Sequence, residues 1–175
     1  MDVIVRLASP EEVDAVARLY DDVTDHLEAT NNYPRWKKGV YPTRDDACRA
    51  YEAGGLYVAL RDGRLAGTMT LSHEPPEGFS LVTWSTPNDY SRTLMVYRLA
   101  VAPQHLGSGV GLALLEHAET VARAEADLAL RLDTSADNEP ACRLYAKAGF
   151  SYVGTVSLGC EDFGLPWFRL FEKVL

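Results

Sequence analysis

The feature that most constrains the fold is a stretch in which an apolar strand runs through a proline into a glycine-rich loop. The stretch reads Leu99-Ala100-Val101-Ala102-Pro103-Gln104-His105-Leu106-Gly107-Ser108-Gly109-Val110-Gly111. An amphipathic helix follows, with apolar positions at Leu114, Leu115, Ala118, Val121 and Ala122. Such a helix start presents unpaired backbone N–H groups and the positive end of the helix dipole. We therefore predict an anion site here, most often one that binds phosphate.

Length and charge restrict the class of protein. The 175 residues are 47% hydrophobic, enough to form a single domain with a sizeable core, and we expect one domain over residues 1–175. The net charge is −8, from 17 basic and 25 acidic side chains. A negative domain is repelled by a polyanion, so general nucleic-acid binding is not expected.

The cysteines and the first residues of the chain give expectations about metal binding and cellular location. The cysteines, Cys48, Cys142 and Cys160, are odd in number and have no CxxC spacing. That pattern argues against a disulfide framework and against a zinc site, so no metal is expected. The first six residues mix charges into a short apolar run, unlike a signal peptide. No apolar run approaches the ~20 residues that span a bilayer, and we expect a cytoplasmic protein without membrane contact.

The order of predicted elements is β-α-α-β-β-β-α-β-α-β-β, which indicates one mixed α/β domain. Ser9 and Glu12 are placed to cap the first helix, Thr43 to cap a second helix over 44–53, and Asp62-Gly63 suits a type I′ hairpin turn. The predicted strands cover 3–7, 56–61, 65–71, 94–101, 128–133, 152–158 and 167–174. A further short helix covers 138–148 and ends at Gly149.

Known phosphate loops differ from the glycine stretch. A P-loop needs a lysine after its last glycine, whereas Val110 follows Gly109 here. A dinucleotide fold needs GxGxxG early in a βαβ unit, whereas this stretch has another spacing and follows several strands. The remaining interpretation is a diphosphate held by backbone amides, with the rest of the ligand continuing along the strand edge.

Two motifs together resemble one family. Gln104–Gly109 matches the Gln/Arg-x-x-Gly-x-Gly/Ala motif of the GNAT superfamily of acetyl-CoA-dependent N-acyltransferases, and the preceding Arg98–Pro103 resembles that family's fourth strand. Asn138–Phe150 resembles its second signature, Asn-x-x-Ala-x-x-Leu-Tyr-x-x-x-Gly-Phe. The close match covers about residues 94–157. The resemblance implies a central mixed, mostly antiparallel sheet with a splayed parallel pair, the fourth and fifth strands, flanked by about four helices.

The resemblance also implies acetyl-CoA as co-substrate. Its diphosphate would lie on the amides of the glycine loop, namely Gln104, His105, Leu106, Gly107, Ser108, Gly109, Val110 and Gly111. Its pantetheine arm would pair with Leu99, Ala100 and Val101, where a backbone donor can hold the thioester carbonyl as negative charge develops. Asn138 would cap its helix and contact the arm, and Ala141 would let the coenzyme pass close to that helix.

The implied reaction is direct attack of an amine on the thioester in a ternary complex. Tyr145 is the predicted general acid and cofactor contact, since a phenol beside the sulfur can donate a proton to the departing thiolate. Many family members carry a glutamate base on the fourth strand, but this chain has Val96-Tyr97-Arg98 there. Glu74 is the favoured candidate base; His73, Asp133 and a water relay remain alternatives.

The acceptor that the resemblance implies is a primary amine, either on a small molecule or on a peptide or protein. Candidates to line its site are Trp36, Tyr41, Trp84 and Tyr97, whose rings can hold a cation, with Asp89 as an amine partner. Plain hydrophobic packing explains each aromatic equally well.

The sequence leaves alternative functions open. One is acetylation of a protein lysine or of aminoacyl-tRNA, and another is a non-catalytic CoA-binding regulatory module, which the missing fourth-strand carboxylate keeps open. The aromatic region 163–171 either forms a homodimer contact or completes the sheet.

Overall fold

The computed structural model describes residues 2–175. Its strands are β1 (Val3–Leu7), β2 (Leu56–Arg61), β3 (Arg64–Ser72), β4 (Thr93–Val101), β5 (Ala129–Ser135), β6 (Ser151–Val156) and β7 (Phe168–Val174). Its helices are α1 (Val13–Ala29), α2 (Arg44–Glu52), α3 (Val110–Ala124) and α4 (Glu139–Lys147). The predicted element order is confirmed. Within residues 2–175, no helix combines the length and apolar character needed to cross a membrane.

The strands form one sheet in the order β1-β2-β3-β4-β5-β7-β6. β4 and β5 are parallel, whereas β1–β2, β2–β3, β5–β7 and β6–β7 are antiparallel. The parallel pairing joins Thr93–Met95 to Ala129–Arg131, and both strands continue beyond it. The predicted fold class is thereby confirmed. The region 163–171 contributes to β7, which pairs with both β5 and β6.

Contacts group the residues into two compact units. Among the described residues, the first unit comprises 2–32, 36–71 and 97–117, and the second comprises 33–35, 72–96 and 118–175. β4 and α3 each contribute residues to both units. The expectation of one functional domain over 1–175 stays a prediction.

The core of the first unit is built on the apolar face of α1. Val13, Val16, Leu19, Tyr20 and Val23 are buried at the spacing that the sequence predicts, against small residues of α2 and against β2. The predicted capping box forms at Ser9 with Glu12, and Thr43 caps α2 as predicted, in a capping box with Asp46. Asp62 and Gly63 have φ of 52° and 73°, as a type I′ turn requires.

The core of the second unit contains a buried charge. Arg131 on β5 is fully buried, and its Nε lies 3.0 Å from Oε2 of Glu172 on β7. Its guanidinium stacks 4.2 Å from the Trp84 ring and donates to Oδ1 of Asn88 at 2.9 Å. Glu172 in turn accepts from the Ser85 amide at 2.8 Å. The ion pair therefore fixes the segment that leads into β4.

Candidate functional site

The glycine loop of the first unit has a backbone that only glycine adopts without strain. After β4, a short 3-10 turn covers Pro103–His105, and α3 begins at Val110. Gly107 and Gly109 have φ of 72° and 90°, the left-handed region that side chains disfavour. Apart from the glycine itself and its two chain neighbours, no heavy atom of residues 2–175 lies within 4 Å of where a Cβ would stand at either glycine. The loop thus presents bare, open backbone before the helix start.

Some of the loop amides are already used within the loop. His105, Leu106 and Ser108 donate to the carbonyls of Ala102, Pro103 and His105, at 2.8, 3.3 and 3.2 Å. Within the described chain, the amides of Gly107, Gly109, Val110 and Gly111 donate to no backbone carbonyl. The donors available to an anion are therefore the amide of Gln104, the glycine amides and the first turn of α3. This set is narrower than the sequence predicts, because three of the loop amides are engaged.

Arg61 is a cation beside the loop that sequence reasoning missed. It closes β2, and its Nη1 donates to the Ser108 carbonyl at 3.3 Å. The two residues are 47 positions apart, so no local pattern in the sequence relates them. Arg61 adds positive charge beside the loop, which favours an anionic ligand there.

The strand that enters the loop is distorted at Arg98. This residue has φ of 46°, rare for a residue with a side chain. Tyr97, Arg98 and Leu99 are all half-buried, so the alternation expected of a strand is interrupted there. Nothing in the sequence marks the distortion, which immediately precedes the predicted pantetheine-binding residues 99–101.

Two of the predicted acceptor-site aromatics meet in the first unit. Trp36 makes edge contacts with Tyr20 and Tyr41, at 6.3 and 6.4 Å between ring centroids. Arg98 Nη1 donates to the Tyr41 hydroxyl at 3.4 Å, and burial raises the pKa of Tyr20 to about 12. Tyr20 and Arg98 were not acceptor-site candidates from the sequence.

The other two candidate aromatics have different surroundings. Trp84 belongs to the second unit, where it is buried, donates from Nε1 to the Phe79 carbonyl at 2.7 Å and stacks on Arg131. Those contacts favour the packing interpretation for Trp84. Tyr97 is half-buried on β4. Asp89 caps a short turn by accepting from the Ser91 amide at 3.0 Å, so its carboxylate has a local partner.

Helix α4 of the second unit has the predicted local geometry. Asn138 caps it, with Oδ1 accepting from the Ala141 amide at 3.2 Å. Tyr145 is buried in its middle and packs against Phe171, with ring centroids 5.4 Å apart. Burial, followed by the negative charge of Asp133, raises the pKa of Tyr145. The phenol therefore keeps its proton at neutral pH.

The candidate bases differ in environment. Asp133 on β5 keeps part of its surface exposed, yet burial raises its pKa to about 6. His73 Nε2 lies 3.0 Å from Asp127 Oδ1, so it is already paired. Glu74 is exposed, and its own amide donates to the Ser72 hydroxyl at 3.0 Å. Asp133 is therefore the carboxyl whose pKa best suits a base near neutral pH.

Comparison with known proteins gives a family and several relatives. The model of the acetyltransferase (GNAT) family matches residues 18–150. A streptothricin acetyltransferase of Escherichia coli is 34% identical over 103 residues, which are 59% of this chain and 51% of that protein. The chain spans at most 66% of the length of the first curated relatives that it matches.

Solved structures share the fold over nearly the whole chain. A GNAT-family acetyltransferase from Streptococcus agalactiae has a TM-score of 0.81 and 23% identity, with 99% of this chain and 95% of that one covered. YncA from Salmonella typhimurium, solved with its cofactor acetyl-CoA, has a TM-score of 0.72 and 18% identity, with 99% and 94% covered.

Proposed function

Because the chain belongs to the acetyltransferase (GNAT) family, we propose that it transfers the acetyl group of acetyl-CoA to a primary amine. The observation that carries the proposal is the open glycine loop, with its unengaged amides at the start of α3 and Arg61 beside them. Backbone donors at a helix start suit the diphosphate of coenzyme A. The acetyl-CoA bound to YncA supports this choice of ligand.

The proposed reaction is a direct acyl transfer. A neutral amine attacks the thioester carbonyl carbon, a C–N bond forms, and the carbonyl electrons move onto oxygen. A backbone amide among residues 99–101 donates to that oxyanion. Collapse of the tetrahedral intermediate breaks the C–S bond, and the Tyr145 hydroxyl gives its proton to the departing thiolate. The tyrosinate is then reprotonated from solvent.

The amine must lose one proton to become a neutral amide. We assign the removal of this proton to Asp133, directly or through a water molecule, because a carboxyl with a pKa of about 6 is ionised at neutral pH but still basic. The sequence favours Glu74 as the base, and that assignment is still a prediction. Matched variants of Asp133 and Glu74 distinguish the two candidate bases.

The proposal defines the acceptor as an organic amine and does not name one molecule. Trp36 and Tyr41, together with Tyr20 and Arg98, form the polar and aromatic cluster that we assign to acceptor recognition. Its rings suit an organic amine, and Arg98 suits a neighbouring anionic or carbonyl group on the same molecule. Both small-molecule and peptide amines fit this description. A homodimer and a cytoplasmic location likewise remain predictions.

The test is release of free thiol from acetyl-CoA over a panel of amines, run beside calorimetric binding of acetyl-CoA. The panel contains streptothricin, in view of the relative's name, and also polyamines, amino acids and peptides with free N-termini. We expect acetyl-CoA binding and amine-dependent thiol release. Binding without turnover on any amine would favour the regulatory module, and no binding would overturn the proposal.

A further inference from the structure

We propose that His73, Glu125 and Asp127 form a binding site for a divalent transition-metal ion, of which Zn²⁺ fits the donors best. All three residues belong to the second unit. His73 follows β3, whereas Glu125 and Asp127 lie in the connection between α3 and β5. The proposal does not depend on acetyl transfer, and none of these residues has a role in the reaction proposed above.

The distances fit coordination of one ion. His73 Nε2 lies 3.0 Å from Asp127 Oδ1 and 3.7 Å from Glu125 Oε2. One donor atom from each residue falls within 4.8 Å of the other two. Ligands bound at about 2.1 Å to one zinc ion stand roughly 3.4 Å apart in a tetrahedron. Small side-chain rotations therefore bring the three donors around a common centre.

The state of Asp127 points to a missing partner. Its side chain is only 1% exposed, and its Oδ2 atom has no hydrogen-bond partner among residues 2–175. A buried carboxylate oxygen without a donor is costly, and native proteins rarely leave one unsatisfied. The buried carboxylate of Glu172 shows the usual solution, since Arg131, Ser85 and Thr86 all donate to it. A cation beside Asp127 would supply what this carboxylate lacks.

The donor set selects the type of ion. One imidazole nitrogen with two carboxylate oxygens suits borderline first-row ions, whereas Mg²⁺ and Ca²⁺ prefer oxygen ligands alone. Three protein donors leave one tetrahedral position for water, and Glu125 is exposed, so the ion has an entry path. Because both connections contribute ligands, the bound ion would hold the residue after β3 against the segment that leads into β5.

The sequence does not reveal this site, because His73 is 52 positions from Glu125 and 54 positions from Asp127. The expectation of no metal rests on the cysteine spacing, which bears on cysteine-based zinc sites and not on a site built from histidine and carboxylates. The pairing of residue 73 with residue 127 exists only in the folded chain.

The test is calorimetric titration of the chelator-treated full chain with zinc chloride. Glu125→Gln and His73→Gln each remove one ligand, and Glu125 is exposed, so its variant should fold normally. His26→Gln, on α1, is the matched control for loss of a histidine. Cobalt(II) absorption in the visible range reports coordination independently, and circular dichroism checks the fold of each variant.

We expect one zinc ion per chain for the parent and for His26→Gln, and at least tenfold weaker binding for the two ligand variants. The cobalt spectrum should be lost in those variants, and magnesium should not compete. Absence of zinc binding by the parent would overturn the proposal. So would unchanged affinity in folded Glu125→Gln, because the zinc would then be bound elsewhere, for example by a cysteine.

Discussion

At the residue scale, the protonation states of Tyr145 and Asp133 decide the proposed chemistry. Both lie in the second unit, and burial raises the pKa of both. The shifts have different consequences. A tyrosine that is harder to ionise keeps the proton that it must donate, whereas an aspartate with a pKa of about 6 becomes a stronger base. Burial thus keeps Tyr145 protonated at neutral pH, although as a weaker acid, and makes Asp133 a stronger base.

Tyr145→Phe should lower kcat by at least about 100-fold, the usual contribution of a general acid. Acetyl-CoA affinity should change little, because the ring packing against Phe171 is kept. Steady-state thiol release and calorimetry measure the two quantities. Tyr152→Phe removes the hydroxyl of an exposed tyrosine as the control. Unchanged turnover in Tyr145→Phe would remove the acid role.

Asp133→Asn should abolish the acidic limb of the kcat/KM profile that we expect near pH 6. In the parent, activity should rise with pH through this value as the carboxyl ionises. Glu74→Gln, measured in parallel, should retain the limb. If the limb disappears in Glu74→Gln and persists in Asp133→Asn, the base is Glu74.

Ionisation of Asp133, which the proposed reaction requires, lowers the stability of the folded chain. The folded-state pKa of Asp133 lies above the ordinary value of 3.8, so protonation favours the folded chain. The contribution of this group to the free energy of unfolding is therefore lost as the pH rises from about 4 to about 6. Asp133→Asn should melt at a higher temperature than the parent at pH 8, and the difference should vanish near pH 3.

At the scale of elements, the loop between β4 and α3 combines backbone conformation with open space. Gly107 has φ of 72°, and beyond its chain neighbours no heavy atom of the described residues lies within 4 Å of the position that a Cβ would occupy there. A side chain at Gly107 would obstruct the close approach of a diphosphate to the loop backbone. The positive φ adds a second reason for glycine, because any other residue is strained before a ligand arrives.

Gly107→Ala should lower the free energy of unfolding by about 1 kcal/mol and weaken acetyl-CoA binding as well. Gly63→Ala is a matched control, with φ of 73° and equally open space in the β2–β3 hairpin turn. Urea unfolding should show similar losses for the two variants, whereas calorimetry should show weaker binding for Gly107→Ala alone. If Gly107→Ala and Gly63→Ala bind acetyl-CoA with equal affinity, the loop is not part of the acetyl-CoA site.

At the scale of the whole molecule, stability depends on a charge that most cores avoid. The Arg131–Glu172 pair joins β5 to β7, and its hydrogen bonds extend to residues 85–88. A buried pair is not by itself a source of great stability, but removing one partner leaves the other uncompensated.

Glu172→Gln should therefore lower the free energy of unfolding by about 3 kcal/mol, measured by urea denaturation at pH 7. Arg123→Ala, which removes one side of an exposed pair with Glu119 on α3, should cost no more than about 0.5 kcal/mol. Similar losses in the two variants would mean that the buried pair carries no special cost.

Local signals predicted most of the fold. Period-two and helical patterns located all seven strands and the helices, since side-chain alternation and turn chemistry are properties of neighbouring residues. Strand ends were less well placed. The prediction ended β5 at residue 133, whereas the strand continues through Thr134 and Ser135, whose backbones pair with Arg169 and Phe168 of β7. Thr134 and Ser135 are buried beside β7 although both are polar, and a local pattern of apolar residues does not show this.

The sequence by itself determined the family, the element order and the position of the glycine loop, because each is written in residues close together along the chain. Only the tertiary structure decided which loop amides remain free, that Arg61 stands beside them, and that burial raises the pKa of Asp133. It alone brought His73 to Asp127. Hydrogen bonding, desolvation and charge pairing depend on distances through space, which the chain acquires on folding.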